Sequence, residues 1–254
     1  MHVTLVVGAV LVAITAAATL TAAASAPVSA GSASTGSFIW QGAKWCPTLR
    51  GGDGCDNIQR GDNSTAAFSP SQVLVMGNST GILLKMNSTG SQTGAFNTQN
   101  YQTWSAPSTL SEQISLPCNT AGQIENWPAF WLVTTGSWPA GGEIDIMEGL
   151  SGSAAWHYHY LNSSGTPSSV GGPVSGFSGC GTHTYAVDWT TAAITFYYDG
   201  KEAGRVTPAE IGVRIASGPM YLINNYAASS VYGGPTGGNV NMEIMKFTST
   251  GMNS

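Results

Sequence analysis

Charge is scarce in this 254-residue sequence. Eight Lys and Arg stand against thirteen Asp and Glu, a net charge of −5. No basic cluster occurs, so the electrostatic footprint of a nucleic-acid partner is missing. Long amphipathic helix patterns are absent from residues 31–254, which excludes a helical bundle. Cysteine is sparse too. Cys46, Cys55, Cys118 and Cys180 include no Cys-x-x-Cys pair of the kind a structural zinc site uses. We expect one domain, with no repeat, linker or carbohydrate-binding module.

What is present begins with an apolar, Ala-rich opening. Residues 1–30 read as a secretory signal, and Val28-Ser29-Ala30 fits the small-x-small rule for cleavage before Gly31. The usual positive start is missing. An uncleaved anchor is the alternative, because about 20 apolar residues can span a bilayer. Residues 31–254 then suit one large β domain. Export makes the cysteines disulfide candidates. Cys46–Cys55 is the first pairing expected, since both lie in one Gly-rich stretch, and Cys118–Cys180 remains. Asn63, Asn78, Asn87 and Asn162 open N-x-S/T sequons, which mark surface loops if they carry glycans.

The thirteen acidic residues are not evenly spread. GGEIDIMEG, Gly141 to Gly149, places Glu143, Asp145 and Glu148 within six positions, among apolar Ile144, Ile146 and Met147. Strand alternation puts Glu143 and Asp145 on one face. Glu148 joins them only if a β-bulge near Ile146 or Met147 adds one residue. The two glutamates would then lie about four strand steps apart, roughly 13 Å along the backbone, and their arms can lean together. Carboxyl groups about 5–5.5 Å apart are the spacing of retaining glycoside hydrolysis. Asp145 between them would hold a shared proton. A solvated strand face and a calcium site remain open readings of three clustered acids.

Other stretches read as strands. Val73 to Met86 is a hairpin, and Ala154 to Leu161 alternates strictly, with His157 and His159 on one face. Those two histidines could ligate a metal, but no third ligand is evident nearby, and no metal ligands are assigned. Ile194 to Val206 is a hairpin turning at Asp199-Gly200. Thr207-Pro208-Ala209-Glu210 is a capping box that starts a short helix. Phe38 to Asp62 reads as irregular and disulfide-tied. Trp127, Trp131 and Trp138 can pack in a core or stack on sugar faces, with the core expected for Trp127.

Trp127 to Gly149, WPAFWLVTTGSWPAGGEIDIMEG, closely resembles the signature of glycoside hydrolase family 16, in its laminarinase-like branch with the extra bulge residue. His183 to Thr190 and Ile194 to Val206 form a second match. Met220 to Pro235 is similar to a further family strand, with Asn225 matched and Tyr232 standing where the family has Trp. The family Arg is replaced by Gln113, so no site residue is assigned there. The resemblance covers about Val73 to Phe247. It implies an all-β, concanavalin A-like jelly-roll sandwich with a concave substrate cleft. It also implies an endo-acting, retaining hydrolase of β-1,3- or mixed β-1,3/1,4-glucan. Glu143 is then the nucleophile, Glu148 the acid/base and Asp145 the residue that tunes them. Trp131 and Trp138 stack on sugar, and His159 lines the cleft with His157 the close alternative. No cofactor takes part. A calcium ion on the convex face is a family possibility with no ligands named. The partner is the polysaccharide; a secreted monomer without stable membrane association is expected. Transglycosylation, galactan or agarose hydrolysis, and non-catalytic glucan binding are the rival readings.

Overall fold

The computed structural model describes residues 32–33, 37–47, 64–77 and 80–253. The expected signal, Cys55, Asn63 and Asn78 lie outside the described residues. Among those described, the only α-helix is Pro208–Ile211. Its Thr207 cap accepts a hydrogen bond from the Glu210 N–H at 3.3 Å, as the capping box requires. No helix there is long and apolar enough to cross a membrane.

Alternating strands bury one face each, and two sheets close over a common core. An eight-stranded sheet runs Ser32–Ala33, Val73–Val75, Ile82–Lys85, Asn241–Ser249, Ser108–Leu116, Gly181–Trp189, Ile194–Tyr198, Lys201–Val206. The facing sheet runs Pro167–Pro173, Ser153–Leu161, Glu143–Leu150, Trp127–Thr134, Met220–Ala227, Ala95–Asn97, Ala43–Pro47, Phe38–Trp40. Large apolar side chains from both sheets, among them Phe130, Ile144, Leu222, Val187, Phe196 and Ile244, form one continuous core. This is the expected jelly-roll sandwich.

Both expected hairpins form. Val73–Val75 pairs antiparallel with Ile82–Lys85. Tyr198 pairs with Lys201 across Asp199 and Gly200, whose φ angles of 50° and 74° suit a tight two-residue turn. The opening segment is a correction. Phe38–Trp40 and Ala43–Pro47 are paired strands, with Trp40 and Trp45 buried. Gln41 and Gly42 make the same kind of turn, φ 48° and 83°. Its Gln-Gly pair is a weaker turn signal than the Asn-Gly or Asp-Gly that usually marks one. Cys46 is disulfide-bonded, and Cys118 is joined to Cys180.

Candidate active site

The Glu143–Leu150 strand divides its side chains as alternation with one extra residue demands. Ile144, Ile146 and Met147 are fully buried in the core. Along one neighbour, Trp131 pairs with Asp145 and Phe130 with Met147, so Ile146 is skipped. Along the other, His157 pairs with Asp145 and Ala155 with Glu148, so two residues oppose Trp156 alone. This is the expected bulge. It turns Glu148 back to the face of Glu143 and Asp145, and all three line a cleft of about 550 Å³ on the outer side of the sheet.

Gly142 delivers Glu143 to that face. Its φ is 86°, and a Cβ there would lie 2.7 Å from Met220 Cε and 2.9 Å from Ala216 Cβ. A side chain fits neither the backbone conformation nor the space.

The neighbouring strands supply partners to each carboxylate. Glu148 is held from both sides: the Trp127 indole N–H donates to Oε1 at 3.2 Å, and His157 Nδ1 lies 3.1 Å from Oε2. His159 Nε2 lies 3.1 Å from Asp145 Oδ2 and 3.7 Å from Glu143 Oε1. Trp138 lines the cleft together with Glu143. Trp131 lines the cleft, and its indole donates to Asn225 Oδ1 at 2.8 Å.

Two expectations need correction. Trp127 lies outside the main core: it packs on the small buried cluster of Phe68, Ala95 and Ala227, lines the cleft, and has its ring centroid 5.4 Å from that of Tyr232. It lies four positions before Trp131, an even spacing that puts both on one strand face. The same reasoning would have found Tyr221, four residues before Asn225 and also in the cleft. The histidines, second, do not share one donor group: His159 clusters with Glu143 and Asp145, and His157 with Asp145 and Glu148. Strand pairing sets Glu143 opposite His159 and Asp145 opposite His157, which no spacing within one strand displays.

Residues 61–246 match the profile of Glycosyl hydrolases family 16. The chain belongs to this family. Endo-1,3-1,4-beta-glycanase ExsH of Rhizobium meliloti is 33% identical over 125 residues, which is 48% of this chain and 25% of the relative. Glucan endo-1,3-beta-glucosidase A1 of Niallia circulans is 32% identical over 127 residues, 42% of this chain and 19% of the relative. The chain therefore spans a quarter or less of these relatives. A family 16 enzyme of a Bacteroides ovatus mixed-linkage glucan locus, solved with its product, superposes with a TM-score of 0.62. The two are 20% identical, and the match covers 81% of this chain and 94% of that one. The endo-beta-1,3-glucanase of Pyrococcus furiosus gives 0.56 at 19% identity, covering 86% and 98%. At these identities the two structures show the shared fold.

In this family 16 cleft the electrostatics follow from burial and crowding. Burial, and then the charge of Asp145, push the Glu143 carboxyl well above the usual range, while His159 and the Trp138 indole pull it back. Burial and the charge of Glu148 push Asp145 up as well. Carboxylates this close and this buried do not all ionise at neutral pH, so the cluster retains at least one proton. Asp145, at 4% exposure and between the other two, is the least hydrated place for a charge.

Proposed function

We propose that this chain is an exported, retaining endo-glycosidase that hydrolyses β-1,3- or mixed β-1,3/1,4-glucan. One observation carries the reading. Two glutamates flank a buried aspartate on one cleft face, and each outer carboxylate has its own imidazole partner.

Glu143 attacks the anomeric carbon as the glycosidic C–O bond breaks. Glu148 gives its proton to the departing oxygen, and the Trp127 indole then stabilises the carboxylate left behind. In the second step Glu148 takes a proton from water, the water oxygen bonds to the anomeric carbon, and Glu143 leaves. Asp145 keeps its proton near Glu143, spares the nucleophile a like charge and can hydrogen-bond to it as the ester forms. Trp138, more than half exposed beside Glu143, offers a flat apolar face to a sugar ring, and Trp131 lies deeper in the cleft. The Trp127–Tyr232 pair offers another on the Glu148 side. No cofactor enters these steps. Export is supported by the apolar opening of the sequence and by the Cys118–Cys180 disulfide.

The test is reducing-sugar release from laminarin, barley mixed-linkage glucan and agarose, by the natural sequence and by Glu143→Ala and Glu148→Ala. Activity on laminarin that both variants lose, with the newly formed end appearing first as the β-anomer by NMR, is the expected outcome. Cleavage of agarose alone would move the substrate to galactan. Glucan binding without cleavage or chain transfer would overturn the enzyme reading.

A further inference from the structure

The two histidines of the Ser153–Leu161 strand divide the carboxylates between them, and the two halves are not alike. His157 Nδ1 and Glu148 Oε2 are aligned as a hydrogen bond at 3.1 Å. His159 Nε2 approaches Asp145 Oδ2 just as closely, 3.1 Å, yet that oxygen is buried and has no hydrogen-bond partner. Glu143 Oε1 is 3.7 Å from the same nitrogen. A buried carboxylate oxygen without a donor costs free energy unless something positive reaches it.

We propose that His159, Asp145 and Glu143 form a site for one divalent transition-metal ion of the zinc type, which binds in competition with the glucan. Metal–donor bonds of about 2.0–2.1 Å at the tetrahedral angle set neighbouring donors about 3.3 Å apart. The 3.1 Å and 3.7 Å separations bracket that edge, and one donor atom from each of the three residues lies within 4.8 Å of the others. The nitrogen selects the ion. Imidazole with carboxylates suits zinc, cobalt, nickel and copper, whereas calcium takes six to eight oxygens. Glu143 and His159 are both partly exposed, and Glu143 lines the cleft, which leaves a fourth position for water. An ion there would displace the proton from Asp145 and release it to solvent, and would sit on the carboxylate that attacks the sugar. Binding follows from the donor geometry alone; inhibition rests on the glucanase reading.

The experiment uses the untagged full chain. Cobalt(II) is titrated and read by the visible absorption of a tetrahedral site, and zinc by calorimetry. One equivalent should bind with a cobalt spectrum of tetrahedral type. His159→Ala should weaken binding by at least the roughly 10–100-fold that loss of an outer hydrogen-bond partner costs a metal site. His157→Ala and His183→Ala should leave the affinity within about threefold of the natural sequence. Where His159→Ala does not fold, His159→Gln is read in the same way. No binding, an octahedral spectrum, or an affinity that falls with His157→Ala and not with the His159 variant would overturn the proposal. Zinc should raise the apparent KM for laminarin and a chelator should restore it. Zinc that binds on His159 in a protein that cleaves no glucan would leave the site standing and remove the glucanase reading. Zinc that binds there and leaves laminarin hydrolysis unchanged would overturn the competition.

Discussion

Glu112 points into the core from the Ser108–Leu116 strand and is fully buried. Asn224, reaching from the opposite sheet, donates to its Oε1 at 2.9 Å, while Glu112 Oε2 and Asn224 Oδ1 meet no partner among the described residues. Burial pushes the carboxyl from 4.5 up to about 8, against a smaller lowering by the Asn224 hydrogen bond. The folded protein keeps this proton where the unfolded chain releases it. The stabilisation is whole below pH about 4.5 and is lost as pH rises to about 8. The slope over that window is about 1.4 kcal/mol per pH unit. Glu112→Gln removes the titration, and its amide can donate to the unpaired Asn224 oxygen. Urea unfolding at pH 5 and pH 7.5 should show the natural sequence losing roughly 3 kcal/mol more than the variant. Equal losses would mean that Glu112 is ionised when folded. Trp127→Phe asks a similar question of the cleft: the ring stays and the donor to Glu148 goes. A hydrogen bond to a charged group is worth about 1.5–3 kcal/mol, so kcat on laminarin should fall at least about tenfold. KM should change little, because Trp127 reaches Glu148 and not the sugar at that nitrogen.

At the scale of the strand, Gly142 is where local backbone and cleft chemistry meet. Positive φ alone costs a side chain about 1–2 kcal/mol. Gly165 shares the positive φ, 75°, but has open space where a Cβ would go. Gly165→Ala should therefore lose about 1 kcal/mol of stability and none of the activity. Gly142→Ala, crowded against Met220 and Ala216, should lose 1–3 kcal/mol more and shift Glu143, with kcat falling along with the urea midpoint. Identical costs at the two glycines would show that crowding beside Glu143 has no consequence. Strands also explain what was readable beforehand. Period-two alternation and a single extra residue were enough to bring Glu143, Asp145 and Glu148 to one face, because both features are local. Trp127 and Tyr221 were equally readable from their even spacing to Trp131 and Asn225. The assignment of His157 to Glu148 and of His159 to Asp145 and Glu143 was not. It depends on the register between two strands, set by the turn around Ser151 and Gly152 and by packing on the core.

At the scale of the molecule, sheet order is the least legible feature. The Asn241–Ser249 strand comes near the end of the chain yet lies inside its sheet, between Ile82–Lys85 and Ser108–Leu116. Such pairings close long loops, and residue periodicity carries no information on which distant strand is chosen. One covalent link does bear on closure. Cys118 and Cys180 follow and precede two strands already paired through Leu116 and Gly181, and the loop between them spans 62 residues. Within that loop lie the Trp127–Thr134, Glu143–Leu150, Ser153–Leu161 and Pro167–Pro173 strands, so one bridge ties off the whole half of the cleft that carries the carboxylates. Closing a loop of this length in the unfolded chain removes about 4 kcal/mol of conformational freedom. The double variant Cys118→Ala, Cys180→Ala should lose about that much in urea, with a Tm lower by roughly 10 °C for a domain of this size. Neither sulfur contacts Glu143, Asp145 or Glu148, so kcat/KM on laminarin at 25 °C should stay within about twofold while the variant is folded. A double variant that keeps its urea midpoint would show that the Leu116–Gly181 ladder alone restrains the loop. One that keeps its midpoint but loses activity would place the role of the bridge in the geometry of the cleft.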